Sequence, residues 1–88
     1  MANLNQKVAV VTGASAGLGR GIALRLASDG ANLAICARGK AALDEVADEL
    51  RARGAEVYAQ TCDVSKPDEL QNFVRKAGQA PRSGVTEL

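Results

Sequence analysis

Apolar positions alternate along the chain between two spacings. Lys7 to Thr12 is a short valine-rich run bounded by turn residues, the pattern of a strand buried on both faces. From Leu18 the apolar residues recur at Leu18, Ile22 and Leu26, with Ala23 and Ala27 beside them. That spacing is helical, and Asp29-Gly30 supplies its stop. Asn32 to Ala37 (NLAICA) repeats the strand pattern, and Lys40 to Arg53 sets Leu43, Val46, Ala47 and Leu50 on one helical stripe that stops at Gly54. A third strand is expected over Ala55 to Thr61. Beyond it, Ser65 has the side chain of an N-cap, Pro67 suits a first turn, and Asp68 completes a capping-box pattern ahead of Leu70, Phe73, Val74 and Ala77. This third helix is expected to end at Gly78.

Strands alternating with amphipathic helices predict parallel βαβ units with right-handed crossovers, which set consecutive strands side by side. The expected class is α/β, a Rossmann-type parallel sheet of order 3-2-1 in a β-α-β-α-β-α arrangement, one half of a doubly wound fold. Residues 78 to 88, GQAPRSGVTEL, begin with loop composition and are expected to add no further strand. Residues 1–78 then form a half-domain and 79–88 a tail unlike the family pattern described below. The first strand would have an open edge, a route to self-association.

Charge and composition narrow the partners. Eleven Lys/Arg stand against ten Asp/Glu, a net charge of +1, so no field favours nucleic acid or an anionic membrane. Tyr58 and Phe73 are the only aromatics, which leaves no stacking platform for single-stranded nucleic acid. The first residues, MANLNQK, show neither a basic leader nor an apolar signal core, and no stretch approaches the roughly 20 apolar residues of a membrane span. A cytoplasmic location is expected. Cys36 and Cys62 lack metal-ligand spacing and the chain has no histidine, so zinc is not expected; both read as small core thiols that a reducing compartment keeps free.

The chemistry lies in TGASAGLGRG, residues 12 to 21, directly behind the first strand. A glycine turn between a buried strand and a helix allows close backbone approach, and the helix N-terminus offers unpaired N–H groups and positive dipole density, which suits a phosphate. No Gly-Lys-Ser/Thr closes it, which excludes a P-loop, and Ile22 occupies the third glycine position of G-x-G-x-x-G. The spacing is T-G-x-x-x-G-x-G. Plainer readings stand beside this one: a tight strand–helix connection for the glycines, a loop position for Asp63, local hydrogen bonding for Ser15, a solvated surface role for Arg20, and packing for Tyr58.

Thr12-Gly13-Ala14-Ser15-Ala16-Gly17-Leu18-Gly19 after a strand, with Asp63-Val64 after the third strand, resembles the short-chain dehydrogenase/reductase family from about Lys7 to about Gly78. The resemblance implies a dinucleotide cofactor whose pyrophosphate and ribose lie on the glycine turn. It also implies that Asp63 accepts a hydrogen bond from the adenine amino group and that Val64 neighbours the adenine. Gly13, Ser15, Ala16, Gly17, Leu18, Gly19, Arg38, Asp63 and Val64 are the expected cofactor-binding residues. An acid at the end of the second strand would select NAD; here Ala37 is followed by Arg38, whose guanidinium suits a 2′-phosphate, so NADP is expected ahead of NAD.

Family members transfer hydride between the nicotinamide and a carbonyl or alcohol, using a Tyr-x-x-x-Lys segment, an upstream serine and an Asn-Asn-Ala-Gly turn. None of these is in this sequence, where Cys62 stands four residues after Tyr58, and no catalytic residue is assigned. Three readings follow: the amino-terminal part of such an oxidoreductase, inactive by itself and ended by truncation or a change of reading frame near residue 78; a nucleotide-binding module without catalysis; and an interaction protein whose Val85-Thr86-Glu87-Leu88 end resembles a PDZ ligand.

Overall fold

The computed structural model describes residues 8–78 and 85–87. Its elements are β1 (Val8–Thr12), α1 (Gly17–Ser28), β2 (Asn32–Ala37), α2 (Lys40–Ala52), β3 (Val57–Thr61), α3 (Pro67–Gly78) and β4 (Val85–Glu87). The strands form one parallel sheet in the order β3-β2-β1-β4.

Alternate residues of a strand point to opposite faces, and here both faces are apolar. Ala9, Val11, Leu33, Ile35 and Ala37 pack under α1 and α2, meeting Ala23 and Ala27 from the first helix and Leu43, Val46, Ala47 and Leu50 from the second. Val8, Val10, Ala34 and Cys36 face the other way, onto Cys62 and onto Phe73 and Ala77 of α3. Helices on both faces explain why the strands read as continuous apolar runs. Tyr58 is a packing residue: its ring stacks on Phe73 with centroids 6.2 Å apart and planes 13° from parallel.

Arg20 does more than meet solvent. Its guanidinium forms a two-pronged bond to Glu49, with Nε 3.1 Å from Oε1 and Nη2 against Oε2, tying α1 to α2. Both side chains remain about two-fifths exposed, so the pair adds at most about 1 kcal/mol.

Two expectations are corrected. A fourth strand does follow the third helix: β4 pairs with β1 through Val8↔Val85, Ala9↔Thr86 and Val10↔Glu87. β1 is therefore internal along these three residues, and the outer strand on that side of the sheet is β4 rather than β1. Three of the four residues of the PDZ-like end, Val85 to Glu87, are within this strand, while Leu88, like Lys7, lies outside the described residues. The second correction is the start of α3. The helix begins at Pro67, and Ser65 turns its hydroxyl back to Asp63 Oδ1 at 2.6 Å rather than forward onto the helix.

Phe73 is the largest fully buried side chain among the described residues and sits on the α3 face of the sheet. Phe73→Ala is expected to cost about 3–5 kcal/mol, most of the stability a domain this small has. Urea unfolding followed by circular dichroism should show the cooperative transition weakened or lost.

Candidate functional site

The parallel register brings the carboxyl ends of three strands together. Thr12 stands opposite Cys36 and Ala37 opposite Thr61, so the segments that leave β1, β2 and β3 emerge side by side. The first is the glycine turn. Gly13 and Gly17 have φ of +64° and +61°, left-handed conformations that side chains other than glycine adopt only under strain. Gly19 serves a different need: a Cβ there would run into the Gly13 carbonyl oxygen, so its hydrogen lets α1 start hard against the turn. Ala14, fully buried, donates its N–H to the Cys36 carbonyl at 3.2 Å and pins the turn to β2.

The start of α1 suits an anion. Ala16 at the N-cap makes no side-chain cap, and the first turn contains no acid, so the positive end of the helix is not neutralised locally.

Two clefts open along this edge. One, of about 250 Å³, is lined by Gly13, Ser15, Ala37, Arg38, Gly39, Cys62 and Val64. The other, of about 300 Å³, is lined by Arg38, Thr61, Cys62, Asp63, Lys66 and Glu69. Arg38 and Cys62 belong to both. Thus Gly13, Ser15, Arg38 and Val64 share one cleft, while Asp63 joins Arg38 on the next. Ala16, Gly17, Leu18 and Gly19 line neither; they form the end of the turn and the start of α1, where Leu18 is 81% exposed. Sequence reasoning passed over Cys62, Lys66 and Glu69. Their signal was adjacency, since Cys62 precedes Asp63 and the other two follow it by three and six residues.

Two groups at this edge are shifted in opposite directions. The Ser65 hydroxyl and backbone N–H hold the Asp63 carboxyl below its ordinary range, with smaller help from the positive charges of Arg38 and Lys66. Cys36 and Cys62 are both free and buried. Burial, followed by the neighbouring Cys62 thiol, pushes Cys36 up to about 11. Cys36 therefore stays a neutral, buried thiol, while Asp63 is an ionised group lining the cleft.

A parallel sheet with a glycine turn and convergent polar groups at its carboxyl edge defines a nucleotide-binding class of α/β protein. Residues 7–83 match the short chain dehydrogenase family, and the chain belongs to it. The match extends past Gly78 into the segment that composition sets apart as a tail. The chain is 42% identical over 71 residues to a 3-oxoacyl-(acyl-carrier-protein) reductase of Staphylococcus epidermidis, covering 80% of this chain and 29% of the relative. Among solved structures it is similar to an alcohol dehydrogenase from Thermococcus sibiricus complexed with 5-hydroxy-NADP (TM-score 0.78, 44% identity, 83% of this chain and 32% of that one). It is also similar to a short chain dehydrogenase/reductase from Burkholderia phymatum in complex with NAD (TM-score 0.84, 40% identity, 91% and 28%). The chain spans about three-tenths of the length of these relatives.

Two glycines separate conformation from packing. Gly21 lies within α1 and an added Cβ meets nothing within 4 Å, so Gly21→Ala should stabilise the chain by up to about 1 kcal/mol through helix propensity. Gly19→Ala should destabilise it by about 1–3 kcal/mol, because the Gly13 backbone must shift; thermal melts of the two variants should move in opposite directions.

The Cys36 shift predicts a pH dependence. Its thiol titrates near 11 when folded against an ordinary 9.0, so its contribution is intact below about pH 9 and lost as pH rises towards 11. Urea midpoints between pH 8 and 11 should fall more steeply for the unaltered chain than for Cys36→Ala.

Proposed function

We propose that these residues bind a nicotinamide dinucleotide, NADP ahead of NAD, across the two clefts at the carboxyl edge of the sheet. The observation that carries this reading is the placement of Gly13 and Ser15 beside Arg38 on one cleft and of Asp63 beside Arg38 on the next. The turn and the uncapped start of α1 would hold the pyrophosphate, with Gly17, Leu18 and Gly19 along the same approach. Arg38, exposed and without an ion pair among the described residues, would take the 2′-phosphate. Asp63 and Val64 would meet the adenine. The residues fit this group in charge as well as position, with donors at the turn, a cation after β2 and an ionised acceptor after β3.

Bound there, the dinucleotide would supply hydride exchange with a carbonyl or alcohol in the whole oxidoreductase, in keeping with the reductase and dehydrogenase among its relatives. We assign these residues binding rather than acid–base chemistry, since the one tyrosine, Tyr58, is half-buried and stacked on Phe73. The cytoplasm, where Cys36 and Cys62 stay reduced, is the compartment we assign.

Isothermal titration with NADPH and NADH tests the reading. NADPH is expected to bind more tightly, and Arg38→Ala should weaken it by about 10- to 100-fold, the loss of one charge-assisted contact, while leaving NADH within about twofold. Equal affinities, or tighter NADH, would overturn the preference for NADP; no heat with either would overturn binding itself.

A further inference from the structure

Asp63 is held at nearly every polar atom it has. Its N–H donates to Glu69 Oε1 at 3.0 Å, and its carbonyl accepts the Lys66 N–H at 3.0 Å. Oδ1 accepts twice from Ser65, from the backbone N–H at 3.0 Å and from the hydroxyl at 2.6 Å. Oδ2 makes no hydrogen bond among the described residues. The Lys66 N–H already closes the turn, so the Ser65 hydroxyl is not needed to form it. What the hydroxyl adds is orientation, because a carboxylate with one oxygen doubly engaged turns less freely about its terminal bond.

We propose that Ser65 is a positioning residue for base recognition: by engaging Oδ1 it leaves Oδ2 as the one acceptor that Asp63 presents to the exocyclic amino group of an adenine. The inference rests on the reading of Asp63 as the adenine partner and deepens it. Pre-orientation matters at this site because Asp63 is only half-buried, and a mobile carboxylate there loses freedom on binding that a fixed one has already given up. Glu69 secures the backbone of the same residue from the first turn of α3, and the positive charges of Arg38 and Lys66, on the same cleft, favour the ionised form.

The test uses the full 88-residue chain with NADPH and with the same dinucleotide carrying unsubstituted purine in place of adenine. The unaltered chain should prefer adenine. Ser65→Ala should weaken adenine binding about fivefold, the worth of one oriented hydrogen bond, and change purine binding by less than about twofold; Ser65→Thr should restore the preference. NMR titration of the Asp63 carboxyl in Ser65→Ala should show it rising towards the ordinary carboxylate range. Equal losses for both bases, no loss for adenine, or an unmoved Asp63 titration would each overturn the role of Ser65. No preference for adenine in the unaltered chain would instead overturn the Asp63–adenine contact, and no binding of either base the dinucleotide reading, with the proposal falling in both cases.

Discussion

The register of β1 against β2 is the constraint from which the rest follows. Val8 to Thr12 pair with Asn32 to Cys36 in step, and that pairing sorts Ala9, Val11, Leu33 and Ile35 to one core and Val8, Val10, Ala34 and Cys36 to the other. A slip of one residue would turn β2 over relative to β1 and set the large Leu33 and Ile35 against α3, where Phe73, Ala77 and Val74 already pack. It would also withdraw the Cys36 carbonyl from the Ala14 N–H, and with it the attachment of the glycine turn to its neighbour. The site is therefore fixed by the same pairing that fixes the core.

The two faces of the sheet use that constraint differently. On one side small residues, Ala23 and Ala27 of α1, let the first helix lie close, as the start of α1 must if the turn is to be tight. The Arg20–Glu49 pair then joins α1 to α2 outside the core, where a half-exposed ion pair adds little energy but limits how the helices slide. On the other side the Phe73 ring, with Tyr58 stacked on it, fills the space. That face ends at Cys62, and the next residue, Asp63, is already in the cleft. The opposite pKa shifts of Cys36 and Asp63 mark this border: one group loses water and stays neutral, the other gains hydrogen bonds and stays charged.

Much of this was legible because periodicity reports burial. Three strands, three helices and the glycine turn are visible in the chain, and so are Gly13, Arg38 and Asp63, which the fold brings to the clefts at the carboxyl edge of the sheet. What escaped depends on partners distant in sequence or on chemistry that two structures share. Glu49 is 29 residues from Arg20, and nothing local pairs them. Ser65 before a helix satisfies the pattern of an N-cap, whose oxygen would accept from the helix, yet here its hydroxyl donates to the Asp63 carboxylate two residues back, and the helix starts at Pro67 instead.

β4 was hidden for a related reason, and its position changes how the site is understood. A three-residue strand behind GQAPRSG has too few positions to show an alternating pattern; it is a strand only because β1 offers it an unpaired edge. From β1 to β3 the chain steps across the sheet in one direction, and after α3 it returns to the opposite side of β1. Strand order thus reverses at β1. In open parallel sheets the crevice outside the carboxyl ends of the strands is deepest at such a reversal, because the segments leaving the two flanking strands pass to opposite faces. The glycine turn leaves β1 at that point. Three small strand pairings, Val8↔Val85 to Val10↔Glu87, therefore put TGASAGLG behind the strand at which the order of the sheet reverses, the position where open parallel sheets take their ligands.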